Sequence, residues 1–172
     1  RILFLVGIKM QDKIIDFIKR NRVSSTQIAD CLNKSGGVIG ANAINRGHFR
    51  VGKINWVYAV NGTNYDVHEQ IQRTQDNDIV YVDVHNHLDK AVFGDLVSKY
   101  LLLYKQASAI VTNGLLRDAP MLIKENWAIW CSGFTPVGYV NHQLTTPDDV
   151  QNTIEHRRVM FDGAIAVCDD TG

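Results

Sequence analysis

A chain of 172 residues, 45% of them hydrophobic, carries enough apolar material for one domain, or one domain with a small appendage. Its 18 Lys and Arg balance its 18 Asp and Glu, and the signs are scattered. That excludes a nucleic-acid surface built on bulk charge and leaves only a local basic patch around Arg46, Arg50 and Lys53.

Arg1 to Gly7 is apolar but lacks the small-residue cleavage site of a signal peptide. Met10 reads as a natural start, so residues 1–9 are expected to be a tag or other non-native leader. Residues 10–172 then form a single domain. No apolar run reaches the roughly 20 residues that span a bilayer, so no membrane partner is expected. Gln11 to Asn21 has a helical period, with Ile14, Ile15, Phe17 and Ile18 on one side. Ser24-Ser25-Thr26 offers an N-cap for a second helix through Ile28, Ala29 and Leu32, which Gly36-Gly37 stops. Cys31, Cys131 and Cys168 fit no zinc spacing and read as buried free thiols in a reducing cytoplasm.

A strand is expected over Phe49–Asn55, followed by Trp56–Val60 and a turn at Asn61-Gly62. Val67–Arg73 reads as a short amphipathic helix, and Ile79–Val84 as a β-branched strand. Leu96–Gln106 has helix length. Ser108–Thr112 lacks alternation, as expected of a strand covered on both faces. Met121–Glu125 is a turn or two of helix after Pro120, and Ala128–Cys131 is another strand. Gly138–Arg158 is polar and reads as a long loop. Ala164–Cys168 is a final strand, with Asp169–Gly172 as the turn after it. Strand and helix thus alternate through the second half, an α/β pattern.

Three motifs punctuate that half: Gly94-Asp95-Leu96-Val97, Asn113-Gly114-Leu115-Leu116-Arg117-Asp118 and Gly133-Phe134-Thr135-Pro136. Asp118 can ligate a hard cation through oxygen. Arg117, planar and always charged, can grip a carboxylate or enolate bidentately. Backbone N–H groups after Gly94, where a helix begins, can hold another carboxylate. Asp95 can serve as a cap for that helix and still reach a metal.

In this order, the motifs resemble the RraA-like family. It includes regulator of ribonuclease activity A and the class II 4-hydroxy-4-methyl-2-oxoglutarate aldolases, long mislabelled demethylmenaquinone methyltransferases. The resemblance runs from about Ser25 to Gly172. It includes Thr26–Leu32, Asn61-Gly62-Thr63-Asn64 with His68, the Gly94 and Asn113 motifs, and Gly163–Gly172. It departs at Asn113, where the family usually has Asp, and at Ser132 and Val137, which flank the Gly133 motif. The C-terminal acidic residue that some aldolases lend to a neighbouring subunit is not among the 172 residues.

The resemblance implies a three-layer β/β/α sandwich of the swivelling-domain type with N-terminal helices. It also implies a homotrimer or hexamer with sites between subunits. In the aldolase branch, Asp118 would bind Mg2+ or Mn2+ directly and Asp95 would reach it through water. The Leu96 and Val97 amides beside Gly94 would hold the pyruvate carboxylate. Arg117 would stabilise the enolate. The expectation is therefore a cytoplasmic, metal-dependent lyase for a small oxo acid, an aldolase or oxaloacetate decarboxylase, without direct nucleic-acid contact. The alternative is a non-catalytic regulator that docks on a ribonuclease or RNA helicase. A methyltransferase is excluded, because no Gly-rich motif after an early strand could hold a methyl-donor nucleotide.

His85-Asn86-His87 imitates the His-x-His of barrel amidohydrolases, but that fold needs roughly 250 residues. These histidines read as a polar strand end, with His85 or His87 lining the pocket beside Asp95. His68 reads as a helix-face residue, and Trp56, Trp127 and Trp130 as core or interface.

Overall fold

A computed structural model describes residues 2–146 and 148–172, with side chains from Met10 onward. Helices α1 (Ile2–Asn21) and α2 (Ser25–Cys31) lead into strands β1 (Asn42–Ala43) and β2 (Arg50–Val60). Helix α3 (Tyr65–Gln70) runs into a 3-10 turn (Ile71–Arg73), followed by β3 (Ile79–His85) and β4 (Ala91–Phe93). Helix α4 (Asp95–Lys99) continues as a π turn (Tyr100–Tyr104). After β5 (Ala109–Thr112) and β6 (Leu115–Leu116) come α5 (Ala119–Lys124), β7 (Ile129–Cys131) and β8 (Gly133–Phe134). The last elements are α6 (Asp148–Phe161) and β9 (Ile165–Cys168).

Six strands form the main sheet in the order β1-β7-β5-β3-β2-β9. Its four central strands are parallel and its two edges antiparallel. A second, wholly parallel sheet has the order β4-β6-β8. The main sheet is buried on both faces, which explains its unalternated β-branched runs. On one face Val57, Val80, Val82, Ile110 and Ile129 meet Phe93, Leu101, Leu116 and Leu122 from the small sheet and its helices. On the other, Trp56, Ile79, Tyr81 and Trp130 meet Val150 and Ile154 of α6. Neighbouring residues of one strand thus serve opposite cores, as the period of two requires. Small sheet, main sheet and α6 stack as the expected β/β/α layers.

The N-terminal helices close the β2–β9 edge, where Ile15 and Ile18 pack on Val51. Ser24 caps α2 with a full capping box. Its Oγ accepts from the Gln27 N–H at 3.2 Å, and the Ser24 N–H donates to Gln27 Oε1 at 2.9 Å. Such a cap is worth about 1 kcal/mol.

Four expectations change. The two adjoining segments Phe49–Asn55 and Trp56–Val60 are one strand, β2, which pairs with β9 at its start and β3 at its end. The helix expected over Leu96–Gln106 divides, because the Lys105 N–H reaches back to the Tyr100 carbonyl, five residues away, at 2.9 Å. The polar stretch Gly138–Arg158 is not all loop, since α6 occupies Asp148–Phe161. Only Val150 and Ile154 of that helix are buried, too few to give a readable apolar stripe. Cys31 is exposed, whereas Cys131 and Cys168 are buried as expected. Of the leader expected over residues 1–9, the backbone of 2–9 belongs to α1; its side chains, with Arg1 and Pro147, lie outside the described residues. Among the described residues, no helix is long and apolar enough to cross a membrane.

Candidate functional site

The small sheet brings the three motifs together. Strands β4 and β6 run parallel with Phe93 opposite Leu116, so both end at the same edge. Strand β8 lies on the other side of β6, with Phe134 opposite Leu116. Gly94-Asp95 therefore emerges beside Arg117-Asp118, and the Arg117 N–H donates to the Phe93 carbonyl at 2.9 Å. The Thr135 N–H donates to the Leu116 carbonyl at 3.0 Å and adds the third motif. The carboxyl ends of parallel strands are where α/β folds bind ligands.

Two glycines let the charged groups close up. A Cβ on Gly94 would fall on Asp118 Oδ2 and lie 3.2 Å from Arg117 Cβ. A Cβ on Gly138 would stand 3.1 Å from Arg117 Nη1 and 3.4 Å from its Cζ. Gly138 arrives there because the segment after β8 pairs with Ala91, which opens β4. The guanidinium is thus flanked by bare backbone.

Asp118 is exposed and left-handed, with φ 60° and ψ 33°. Few non-glycine residues adopt that region, though Asp tolerates it better than most. Asp118 Oδ2 accepts the Asp95 N–H at 3.0 Å. Arg117 is also exposed, and among the described residues it enters no ion pair, not even with adjacent Asp118. A mutually neutralised surface pair is therefore not what the structure contains.

Asp95 does not cap α4 with its side chain; Gly94 holds the N-cap position. Instead Asp95 Oδ2 accepts from Lys99 Nζ at 2.7 Å, across one turn of α4. That hydrogen bond holds the Lys99 ammonium above its ordinary pKa. Asp95 Oδ1 is buried and has no hydrogen-bond partner among the described residues. The Ser98 N–H donates to the Gly94 carbonyl at 3.1 Å and opens the helical ladder. The Leu96 and Val97 amides precede that first rung, in the part of a helix that lacks internal partners. A helix of five residues has little dipole, so these amides act as local donors only. The Leu96 side chain is 82% exposed, and that of Val97 is buried.

The histidines are elsewhere. His85 lines a small cavity under α6 with Trp56, Tyr58 and Asp83, across the main sheet from Asp95. The ring of His87 lies beside Gly62. His68 is exposed on α3, Trp56 and Trp130 are core residues, and Trp127 is partly buried.

Asn113 has a structural task. Its amide donates to the Val84 carbonyl at 3.0 Å and accepts the Val84 N–H at 2.7 Å, extending the β3–β5 pairing by one side-chain rung. An ionised Asp could accept there but could not donate. Beside it, buried Asp83 receives Arg157 of α6, with Nη2–Oδ1 at 2.9 Å and a second bond from Nε to Oδ2. Trp56 Nε1 and the Tyr81 hydroxyl donate to the same carboxylate at 3.0 and 3.2 Å. Burial first, then the Asp83 charge, pushes the Tyr81 phenol well above its ordinary pKa. The sequence reading missed Lys99, Gly138, Asp83 and Arg157. Only Lys99 carried a local signal, its spacing of four from Asp95 on a helix.

Asp118 and Asp95 are the groups at this edge that could hold a cation. Among the described residues there is no cluster of three or more His, Cys, Asp or Glu able to do so. A cation here would keep most of its shell as water, the habit of Mg2+ rather than of zinc. Asp95 keeps an unmet polar demand here, since Lys99 satisfies Oδ2 while the buried Oδ1 has no partner among the described residues.

Residues 25–172 match the family model described as RraA-like, Aldolase/RraA. No curated protein is significantly similar to the chain. Among solved structures, the chain resembles Streptomyces coelicolor RraAS2, described as an unusual member of the RNase ES inhibitor RraA family. The TM-score is 0.71 at 20% identity, over 93% of this chain and 83% of that one. An uncharacterized protein from Pseudomonas syringae pv. tomato gives 0.70 at 19% identity, over 94% and 74%. The RNA-processing inhibitor RraA from Thermus thermophilis gives 0.65 at 15% identity, over 86% and 88%. At these identities the likeness establishes the fold alone.

Proposed function

The chain belongs to the RraA-like family, and we propose that it works there as a divalent-metal-dependent carbon–carbon lyase on small oxo acids containing a pyruvate unit. The reaction is retro-aldol cleavage of the 4-hydroxy-4-methyl-2-oxoglutarate type, or decarboxylation of oxaloacetate. The observation that carries this reading is Arg117 beside Asp118, in no ion pair among the described residues, with Asp95 bonded to the same carboxylate.

Both reactions break a carbon–carbon bond and leave its electron pair on the pyruvate fragment, as an enolate. Arg117 is free to donate its planar fork to the enolate oxygen, where negative charge grows. The Leu96 and Val97 amides would receive the substrate carboxylate. Asp118 would hold Mg2+ or Mn2+ directly and Asp95 would reach it through water. When bound, that ion supplies Lewis-acid charge to the substrate oxo oxygen. The exposed apolar residues Leu96, Leu103, Tyr104, Met121 and Ile123 around α4 and α5 support burial of this rim in a homotrimer or hexamer. Sedimentation showing only monomer at micromolar concentration would count against that assembly. A cytoplasmic location accompanies this reading.

A second reading, a regulator that binds a ribonuclease or RNA helicase, is favoured by the Lys99 contact, which already satisfies one oxygen of Asp95 without a metal. One assay separates the two. Pyruvate release from oxaloacetate and from 4-hydroxy-4-methyl-2-oxoglutarate is followed with and without Mg2+, beside Asp118→Ala. The lyase reading expects Mg2+-dependent release that Asp118→Ala abolishes. Absence of release from both substrates, with inhibition of a ribonuclease by the same protein, would replace it with the regulator.

A further inference from the structure

Lys99 has no place in the chemistry above, yet it touches that chemistry's acidic residue. Its ammonium lies 2.7 Å from Asp95 Oδ2, one helical turn away. The other oxygen, Oδ1, is buried. The oxygen open to approach from solvent is therefore the one that Lys99 occupies. Asp95 is in turn bonded through its N–H to Asp118 Oδ2, so all three residues form one connected group.

The charges of Asp95, Asp118, Lys99 and Arg117 cancel, and Glu125 adds one further negative charge within range of Lys99. Asp95 and Asp118 bring two negative charges, and Lys99 and Arg117 bring two positive ones. A divalent cation thus arrives at four side chains that are formally neutral together, with one oxygen of Asp95 already occupied by Lys99. Removing Lys99 alone would make the cluster net negative and free Asp95 Oδ2. The Lys99 side chain is 39% exposed, and an exposed pair of this kind is weak enough to yield to a stronger cation.

We propose that Lys99 is a built-in counter-cation of the divalent site, holding Asp95 Oδ2 and lowering the affinity of the site for the metal. This inference rests on the cation site proposed above and adds a competitor to it. A divalent ion binds by sharing Asp95 with the ammonium or displacing it. The site then fills only at substantial cation concentration, and the ammonium keeps Asp95 oriented until it does. One positive charge near a doubly charged ion, at partly solvated range, weakens binding on the order of threefold to tenfold.

The test is Mn2+ binding, read from the free-ion paramagnetic resonance signal at fixed neutral pH and constant salt. Wild type, Lys99→Met, Lys99→Arg and Asp118→Ala are compared, each shown by thermal melting to be folded. Met keeps the unbranched stem and the helix propensity while removing the charge. Lys99→Met should bind Mn2+ about threefold to tenfold more tightly than wild type. Lys99→Arg keeps the charge and should stay within about twofold of wild type. Asp118→Ala should lose most of the binding. Binding by Lys99→Met equal to or weaker than wild type overturns the role of Lys99. So does binding by Lys99→Arg as tight as by Lys99→Met, because charge would not be the cause. In both cases loss of binding in Asp118→Ala leaves the cation site itself standing. Failure of both wild type and Lys99→Met to bind Mn2+, or equal binding by Asp118→Ala, overturns the site and the inference together.

Discussion

The backbone N–H of Asp95 donates to the side chain of Asp118, 23 residues away, at 3.0 Å. That bond ties the start of α4 to the start of α5 and holds the two carboxylates in one group. It exists because β4 and β6 are parallel and an irregularity between Ala91 and Phe93 brings Phe93 opposite Leu116, so the residue after each strand emerges at the same edge. Gly94 completes the approach by leaving out the Cβ that would occupy the place of the Asp118 carboxylate. Strand register, one glycine and one left-handed Asp therefore set the geometry of the site.

Arg117→Lys should be nearly as damaging as Arg117→Ala. Lys keeps the charge but loses the planar fork, and the guanidinium here lies along the bare backbone at Gly138. If Arg117 stabilises an enolate, the loss should fall on kcat, because that charge develops only in the transition state. Removing such a donor costs about 3 kcal/mol, or roughly a hundredfold in rate. Steady-state kinetics on oxaloacetate at saturating Mg2+ decides. A Lys variant within about threefold of wild type would remove Arg117 from that role.

Gly94→Ala should separate activity from stability. The added methyl meets the carboxylate of an exposed side chain, which can swing aside, so stability should fall by less than about 1 kcal/mol. The displaced Asp118 no longer sits against Asp95, and turnover should drop by at least about tenfold. Parallel thermal melts and pyruvate-release assays test this. An Ala variant with normal turnover would show that the close approach is incidental.

Arg157→Met should destabilise the fold through Asp83. Asp83 is 3% exposed and would keep only the neutral donors Trp56, Tyr81 and Asn113. Stranding a buried carboxylate costs about 3 kcal/mol, less here because Arg157 itself is one-third exposed. Adding Asp83→Asn to Arg157→Met should recover part of the loss. Urea denaturation of the four proteins in this cycle measures the coupling. A loss under about 0.5 kcal/mol for Arg157→Met would mean that α6 is held by its other contacts, chiefly Val150, Ile154 and Phe161.

Asp169 should make stability sensitive to acid. Burial raises its pKa, but donors outweigh that effect and hold it below the ordinary carboxylate value. They are the Ser25 N–H and Oγ–H, each at 2.7 Å, the Thr171 N–H at 2.9 Å and the Gly172 N–H. A carboxyl whose folded pKa lies below its unfolded value contributes stability above the unfolded value. It loses that contribution as pH falls through the folded one. Wild type should therefore lose more stability than Asp169→Asn as pH drops below the ordinary Asp range, near 3.8. Denaturation midpoints at neutral pH and at about pH 2.5 test it. Parallel pH profiles for the two proteins would remove Asp169 as the cause.

Much of the architecture and part of the site are legible in the sequence itself. The runs Ile79–Val84 and Ala109–Thr112 are β-branched without alternation, and strands covered on both faces need that composition. Ser24 announces the start of α2, because capping is a local matter between residues three apart. Arg117, Asp118 and Asp95 stand out by residue type, since few other side chains bring a planar cation or a hard oxygen ligand. The tertiary structure alone decided what these residues touch. Nothing local to Asp118 says that its carboxylate accepts the Asp95 N–H, or that Gly138 lies against Arg117. Nor does the polar stretch before Arg157 say that this residue anchors a helix to Asp83. Helix α6 was invisible because two buried residues make no stripe, and its anchor is a charge pair spanning 74 residues. Local propensity and residue chemistry are properties of short segments. Partners brought together by parallel strand pairing depend on how the whole sheet closes, and no short segment contains that information.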